Sequence, residues 1–357
     1  MTATATLAEL GQSLWVDNIT RMMLDEGTLE RYVRELSVTG LTSNPTIFDK
    51  AIGSGEAYDE QIDALADRGL GDEALFFELA LADLDRAAEL FGAVHERSDG
   101  VDGWVSLEVS PLLANDAEAT IAQAAELHSR ARDNVFIKIP GTAEGRTAIE
   151  ESIYAGIPIN VTLLFSREHY LGAADAFMRG IERRIEAGLD PDVPSVASLF
   201  VSRWDVAVAE TVPDELRNQL GVAIGKRTYR AYRELLASKR WHDLQGAGAV
   251  RQRLLWASTG VKDPSARETL YVEALAAPDT IDTMPVKTLL ALHEKGRIGA
   301  TLAEDGGDAD AVLARFARAG LDVEALAQRL QREGAEAFVK SWRALLERIA
   351  DRSRAVA

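Results

Sequence analysis

No cysteine occurs in the 357 residues, which excludes disulfides, thiolate metal sites and a cysteine nucleophile together. That absence suits a reducing compartment. Proline is sparse, at 10, and no Pro/Gly/Ser-rich stretch reads as an interdomain linker. No apolar run reaches the roughly 18 residues of a membrane-spanning helix, and residues 1–11 lack the basic and apolar regions of a secretory leader. Bases are outnumbered 39 to 57, for a net charge of −18. Such a surface repels phosphodiester backbones and anionic lipid, so neither nucleic acid nor membrane is expected as a partner. The five histidines, at 95, 128, 169, 242 and 293, show no metal-ligand spacing. The class expected is an acidic, cytoplasmic globular protein.

What is present is ample apolar material, 47%, and a recurring order. Short β-rich runs at 14–19, 40–46, 104–111, 134–140, 157–165, 195–203, 254–259 and 280–284 alternate with helix-periodic segments such as 29–36, 74–90, 117–132 and 227–236. This alternation predicts an α/β protein whose parallel strands close into a (β/α)8 TIM barrel, with a doubly wound open sheet as the structural alternative. Barrels of this kind run past about 250 residues as one domain. Residues 1–357 are therefore read as one domain, with 300–357 as a helical C-terminal extension. In that extension Phe338, Trp342, Leu345, Leu346 and Ile349 form one stripe expected to pack on the barrel.

Parity within the strands selects the interior. Ser106 and Glu108 share a face opposite Leu107 and Val109; Asn160 and Thr162 oppose Val161 and Leu163; Lys138 opposes Ile137 and Ile139; Asp17 opposes Val16. Side chains alternate with period two, and in a barrel the apolar outer face meets the helices. Asp17, Glu108, Lys138, Asn160 and Thr162 are thus expected to converge near the C-terminal strand ends, where barrel active sites are built.

Lysine is scarce, 8 residues against 31 arginines, and Lys138 sits inside Val135-Phe136-Ile137-Lys138-Ile139-Pro140. Burial of a lysine favours the free amine, and a free amine in a pocket attacks carbonyls to form a Schiff base. The competing reading is a lysine paired with an interior carboxylate for structure alone.

Several segments together resemble one family. Gly40-Leu41-Thr42-Ser43-Asn44-Pro45-Thr46 is similar to the first transaldolase signature, and 135–142 resembles the segment around the transaldolase Schiff-base lysine. Trp15-Val16-Asp17, Leu107-Glu108-Val109-Ser110, Asn160-Val161-Thr162-Leu163-Leu164-Phe165 and Ser198-Leu199-Phe200-Val201-Ser202-Arg203 agree in order and spacing. The resemblance covers about residues 13–290. It implies a class I aldolase barrel needing no metal or organic cofactor, usually dimeric, that acts on sugar phosphates. Such an enzyme moves a dihydroxyacetone unit from sedoheptulose 7-phosphate to glyceraldehyde 3-phosphate, giving erythrose 4-phosphate and fructose 6-phosphate. It further implies Lys138 as the nucleophile, Asp17 as the acid/base at the C4 hydroxyl, and Glu108 with Thr162 holding a proton-shuttling water. Asn44 and Asn160 would bind sugar hydroxyls, Ser198 and Arg203 the phosphate, and Phe200 would form an apolar wall.

Each assignment has a plainer competitor. Asn44-Pro45 is also a turn signal, Asn160 and Thr162 could satisfy one another, and Arg203 could pair with nearby Asp205 at a helix start. After strand seven the sequence departs from the family: Gly260 stands where many members carry a second phosphate-binding arginine, and Lys262 is expected to take that place. Two other functions compete, a fructose-6-phosphate aldolase-type lyase and a non-catalytic sugar-phosphate-binding barrel. Phe200 argues against the lyase, whose members are shorter and carry a proton-donating tyrosine there.

Overall fold

A computed structural model describes residues 1–66 and 68–356. Its strands are β1 Ser13–Asp17, β2 Val38–Thr42, β3 Val105–Glu108, β4 Val135–Pro140, β5 Ile159–Leu164, β6 Ser195–Phe200, β7 Gln252–Ala257 and β8 Thr280–Met284. Each hydrogen-bonded pair is parallel, in the order β2-β1-β8-β7-β6-β5-β4-β3. The ring is completed between β2 and β3 by Leu41 N donating to Trp104 O at 3.0 Å and Gly103 N to Thr39 O at 2.9 Å. The order never reverses, so the structure is the (β/α)8 barrel and not the doubly wound sheet.

All eight expected strands are present, but six end sooner than their apolar patterns suggest, three of them by three residues or more. The run 40–46 shifts to Val38–Thr42, because Asn44 caps the helix Pro45–Gly53 with Pro45 in its first turn. The run 195–203 stops at Phe200, and Arg203 belongs to the helix Ser202–Val208. The run 104–111 stops at Glu108, with Pro111 opening a 3-10 turn. Conversely, the helix expected over 227–236 begins at Leu220. Its two early glycines answer a packing need: a Cβ on Gly221 would lie 2.6 Å from Val201 O, and one on Gly225 2.7 Å from Leu275 Cδ2.

Two side-chain caps set where β4 and β5 end. Thr142 accepts from Gly145 N just after β4, and Ser166 from His169 N just after β5. Beneath those ends the barrel is filled with aromatic rings. Trp104 stacks on Phe136 with centroids 4.1 Å apart, and Trp15 lies 6.3 Å from Phe136. Trp15 fits only because β2 carries Gly40, whose Cβ would stand 2.7 Å from the indole. Polar residues one layer higher therefore rest on an aromatic floor.

One carboxyl is buried outside that interior. Asp282 on β8 accepts from Thr259 Oγ1 at 2.8 Å, while its Oδ2 has no partner among the described residues. Burial pushes its pKa up to about 7. An unfolded aspartate titrates near 4, so the folded chain keeps a proton that the unfolded chain has already released. The stability this contributes is complete below about pH 4 and is lost as pH rises through about 7. Asp282→Asn is expected to remove that slope. Its unfolding free energy should gain on the parent's by about 3 kcal/mol between about pH 5 and 8 in urea titrations. A difference that does not change with pH would refute this.

Candidate active site

At the C-terminal ends of the strands lies a cavity of about 380 Å³ lined by Asp17, Lys138, Thr162, Arg203 and Lys262 among others. It is not the largest concavity. One of about 780 Å³ beside Arg267 and Arg297 shares Lys262 with it, and one of about 710 Å³ opens at the opposite barrel end around Arg253 and Trp104. Neither is lined by Lys138, and it is converging reactive groups, not volume, that mark a reaction centre.

Lys138, 5% exposed, donates from Nζ to Ser43 O at 3.2 Å and to Glu108 Oε2 at 3.3 Å. The register that pairs Glu108 with Lys138 on β3 and β4, and Lys138 with Asn160 on β4 and β5, brings these three together as parity predicts. Burial raises the Glu108 pKa, with Lys138 pulling it back and Asp17 adding to the rise. Burial likewise raises Asp17, against Lys138 and the Thr42 hydrogen bond. Asp17 keeps some surface toward the cavity but is enclosed elsewhere. Thr42 donates to Asp17 Oδ1 at 2.8 Å, so its contact at 2.7 Å with Thr283 is filled by the Thr283 hydroxyl proton.

Thr162 is fully buried, lines the cavity, and its Oγ1 has no hydrogen-bond partner among the described residues. Asn160 does not bond to Thr162. Its Nδ2 donates to Ser106 Oγ at 3.1 Å and its Oδ1 accepts from Ser198 Oγ at 2.7 Å. Asn160 is thus held beneath the cavity lining, and Ser198 has spent its only proton on it. Asn44 lines the cavity, while its Oδ1 caps the helix Pro45–Gly53 through Ile47 N at 3.1 Å. The carbonyl makes the turn, and the amide protons remain free of it.

Arg203 is not paired with Asp205. Asp205 instead accepts from Leu220 N at 2.9 Å, Gly221 N at 3.1 Å and Tyr271 Oη at 2.9 Å. Arg203 is half-buried with its guanidinium 5.4 Å from the Phe200 ring centroid, and burial alone pulls its pKa down. A desolvated cation with no carboxylate bonded to it among the described residues is suited to an anionic ligand. Lys262 is exposed, and its Nζ lies 3.8 Å from where a Gly260 Cβ would be. The Pro285 ring is nearer still, with Cγ at 2.9 Å from that point, and Lys262 lines the cavity beside it.

Sequence reasoning missed several lining residues. Thr42 and Thr283 share inward parity with Gly40 and Ile281, a signal that was there to be used. Ser258, Lys50 and Phe338 carried no such signal. Among the described residues no group of three His, Asp or Glu is placed to hold a metal, and no helix is long and apolar enough to cross a membrane.

Comparison with known proteins places the chain in a family. The family model described as transaldolase/fructose-6-phosphate aldolase matches residues 14–349. The chain is 44% identical to the transaldolase of Thermobifida fusca, over 96% of each chain. It is 41% identical to that of Renibacterium salmoninarum, over 98% of this chain and 96% of the relative. For the Neisseria gonorrhoeae transaldolase the identity is 40%, over 97% and 99%. With a lysine at the end of β4, carboxylates at the ends of β1 and β3, and likeness along nearly its whole length, this chain belongs to the transaldolase/fructose-6-phosphate aldolase family.

Proposed function

We propose that this chain is a transaldolase, a transferase that carries a dihydroxyacetone unit from sedoheptulose 7-phosphate to glyceraldehyde 3-phosphate, yielding erythrose 4-phosphate and fructose 6-phosphate. The observation that carries the reading is Lys138, buried at a strand end with Glu108 at 3.3 Å, beside a cavity whose other wall holds Asp17. Lys138 Nζ attacks the ketose C2, and Glu108 with Thr162 handles the protons as carbinolamine loses water to give the iminium. Asp17 takes the C4 hydroxyl proton, the C3–C4 bond breaks, and its electron pair moves into the iminium to leave an enamine. The first aldehyde departs, the second enters, and the steps run backward. We place the reaction in the cytoplasm, with the chain as a homodimer.

Incubation with fructose 6-phosphate and borohydride tests the chemistry: an imine is reduced to a stable adduct on Lys138, whereas a binding barrel yields none. Adding erythrose 4-phosphate then separates transferase from lyase. Phe200 favours the transferase, since it walls the cavity without a proton to give to the enamine.

The phosphate is assigned to Arg203 and Lys262. Arg203→Ala is expected to raise KM for both phosphorylated substrates about ten- to a hundredfold, the worth of a charge-assisted contact. Lys262→Ala, at an exposed position, falls at the low end, near tenfold. kcat changes little, because neither group reaches the imine. An unchanged KM for fructose 6-phosphate in Lys262→Ala would leave Arg203 as the phosphate site.

A further inference from the structure

The helix Val323–Val356 has 34 residues and so is about 50 Å long, enough to cross the whole mouth of the barrel. One of its faces touches the catalytic end at successive turns. Gln331 Nε2 donates to Leu163 O at 2.9 Å and to Gly141 O at 3.2 Å. These two carbonyls lie just past β4 and at the β5 bulge, where Leu163 has φ of 58° directly after Thr162. Gly334 permits the close approach, for its Cβ would stand 3.0 Å from Leu163 Cδ2 and 3.6 Å from Arg203 Nη1. At the far side Thr46 donates to Ser341 at 2.8 Å, and Arg348 bonds to Asp49 at 2.8 Å. Between these anchors stands Phe338. Its neighbour in the stripe, Trp342, packs on Phe76 and Phe77, whereas Phe338 lines the cavity with its ring centroid 5.9 Å from Lys138 Nζ.

A transferase must hold its enamine between the departure of one aldehyde and the arrival of the next. Water competes for it. A water molecule protonates C3 of the enamine, restoring the iminium, and a second adds at C2. The C2–N bond then breaks, freeing dihydroxyacetone and the Lys138 amine. Resting on the Schiff-base reading above, we infer that Phe338, held over Lys138 by the helix, is a specificity-determining residue that favours transfer over hydrolysis. Its ring fills the cavity beside Lys138 and so displaces water from around the enamine. Phe200 withholds a proton; Phe338 withholds the water.

The readout is the ratio of free dihydroxyacetone to transfer product, with fructose 6-phosphate as donor and erythrose 4-phosphate saturating. Phe338→Ala is expected to raise that ratio at least about tenfold, while borohydride still gives the Lys138 adduct. Phe338→Leu keeps an apolar wall and stays near the parent ratio. Gln331→Ala, which loosens the same helix, moves the ratio in the direction of Phe338→Ala and serves should that variant not fold. Adduct formation with an unchanged ratio in Phe338→Ala, or in Gln331→Ala if it alone folds, overturns the role of Phe338 and leaves the Schiff base standing. No adduct in the parent chain overturns the Schiff base itself, and with it the ground for this role.

Discussion

Lys138→Arg is expected to leave a folded barrel whose transfer activity is lower by on the order of 10⁴-fold or more, the scale of losing a covalent nucleophile. Arginine keeps the positive charge that faces Glu108 at 3.3 Å and the Ser43 carbonyl at 3.2 Å, so the buried carboxylate is not left alone. Leaving it alone is the costly alternative, as Lys138→Ala would do. The longer side chain has the 380 Å³ cavity to extend into. What arginine lacks is an available lone pair, because its guanidinium does not deprotonate in proteins. Neither the carbinolamine nor the imine then forms, and borohydride with fructose 6-phosphate leaves no adduct. Circular dichroism and a melting curve close to the parent's would locate the loss in chemistry. Residual turnover within tenfold of the parent would sink the assignment of Lys138.

The split between what the sequence disclosed and what it hid follows from the range of the signals. Period-two alternation is local, so the inward set Asp17, Glu108, Lys138 and Thr162 could be read strand by strand; the register of β3, β4 and β5 brought the last three together, and Asp17 faces the same cavity from β1. Strand ends were read too late wherever a cap or a turn competed with an apolar run, as at Asn44, because pattern continues across a boundary that hydrogen bonding sets. Interactions distant in sequence were out of reach. Nothing near Asn160 indicates that Ser106 and Ser198 absorb its hydrogen bonds. Phe338 is a similar case: its helical stripe announces burial against the barrel but not that the surface it meets is the catalytic cavity, 200 positions earlier in the chain.

Separating the two carboxylates is the sharper test of mechanism. Glu108→Gln and Asp17→Asn are each expected to cost on the order of 10²-fold or more, typical of a positioned acid or base, but at different steps. Glu108 touches the lysine nitrogen itself, so its loss slows formation and hydrolysis of the imine. Asp17 is held on the other wall by Thr42, which is in turn held by Thr283, and its task begins after the imine exists. The Asp17→Asn variant is therefore expected to accumulate intact ketose phosphate on Lys138, and borohydride fixes it there for mass spectrometry. Glu108→Gln is expected to give little adduct of any kind over the same interval. Because burial raises both carboxyl pKa values, the base form of Asp17 is complete only above the ordinary carboxylate range. The acid limb of the parent's kcat profile accordingly lies above about pH 4. In Asp17→Asn the contribution of that group to the limb disappears. If Asp17→Asn instead traps only the three-carbon dihydroxyacetone adduct, bond cleavage proceeds without it, and the proton at the C4 hydroxyl belongs to another residue.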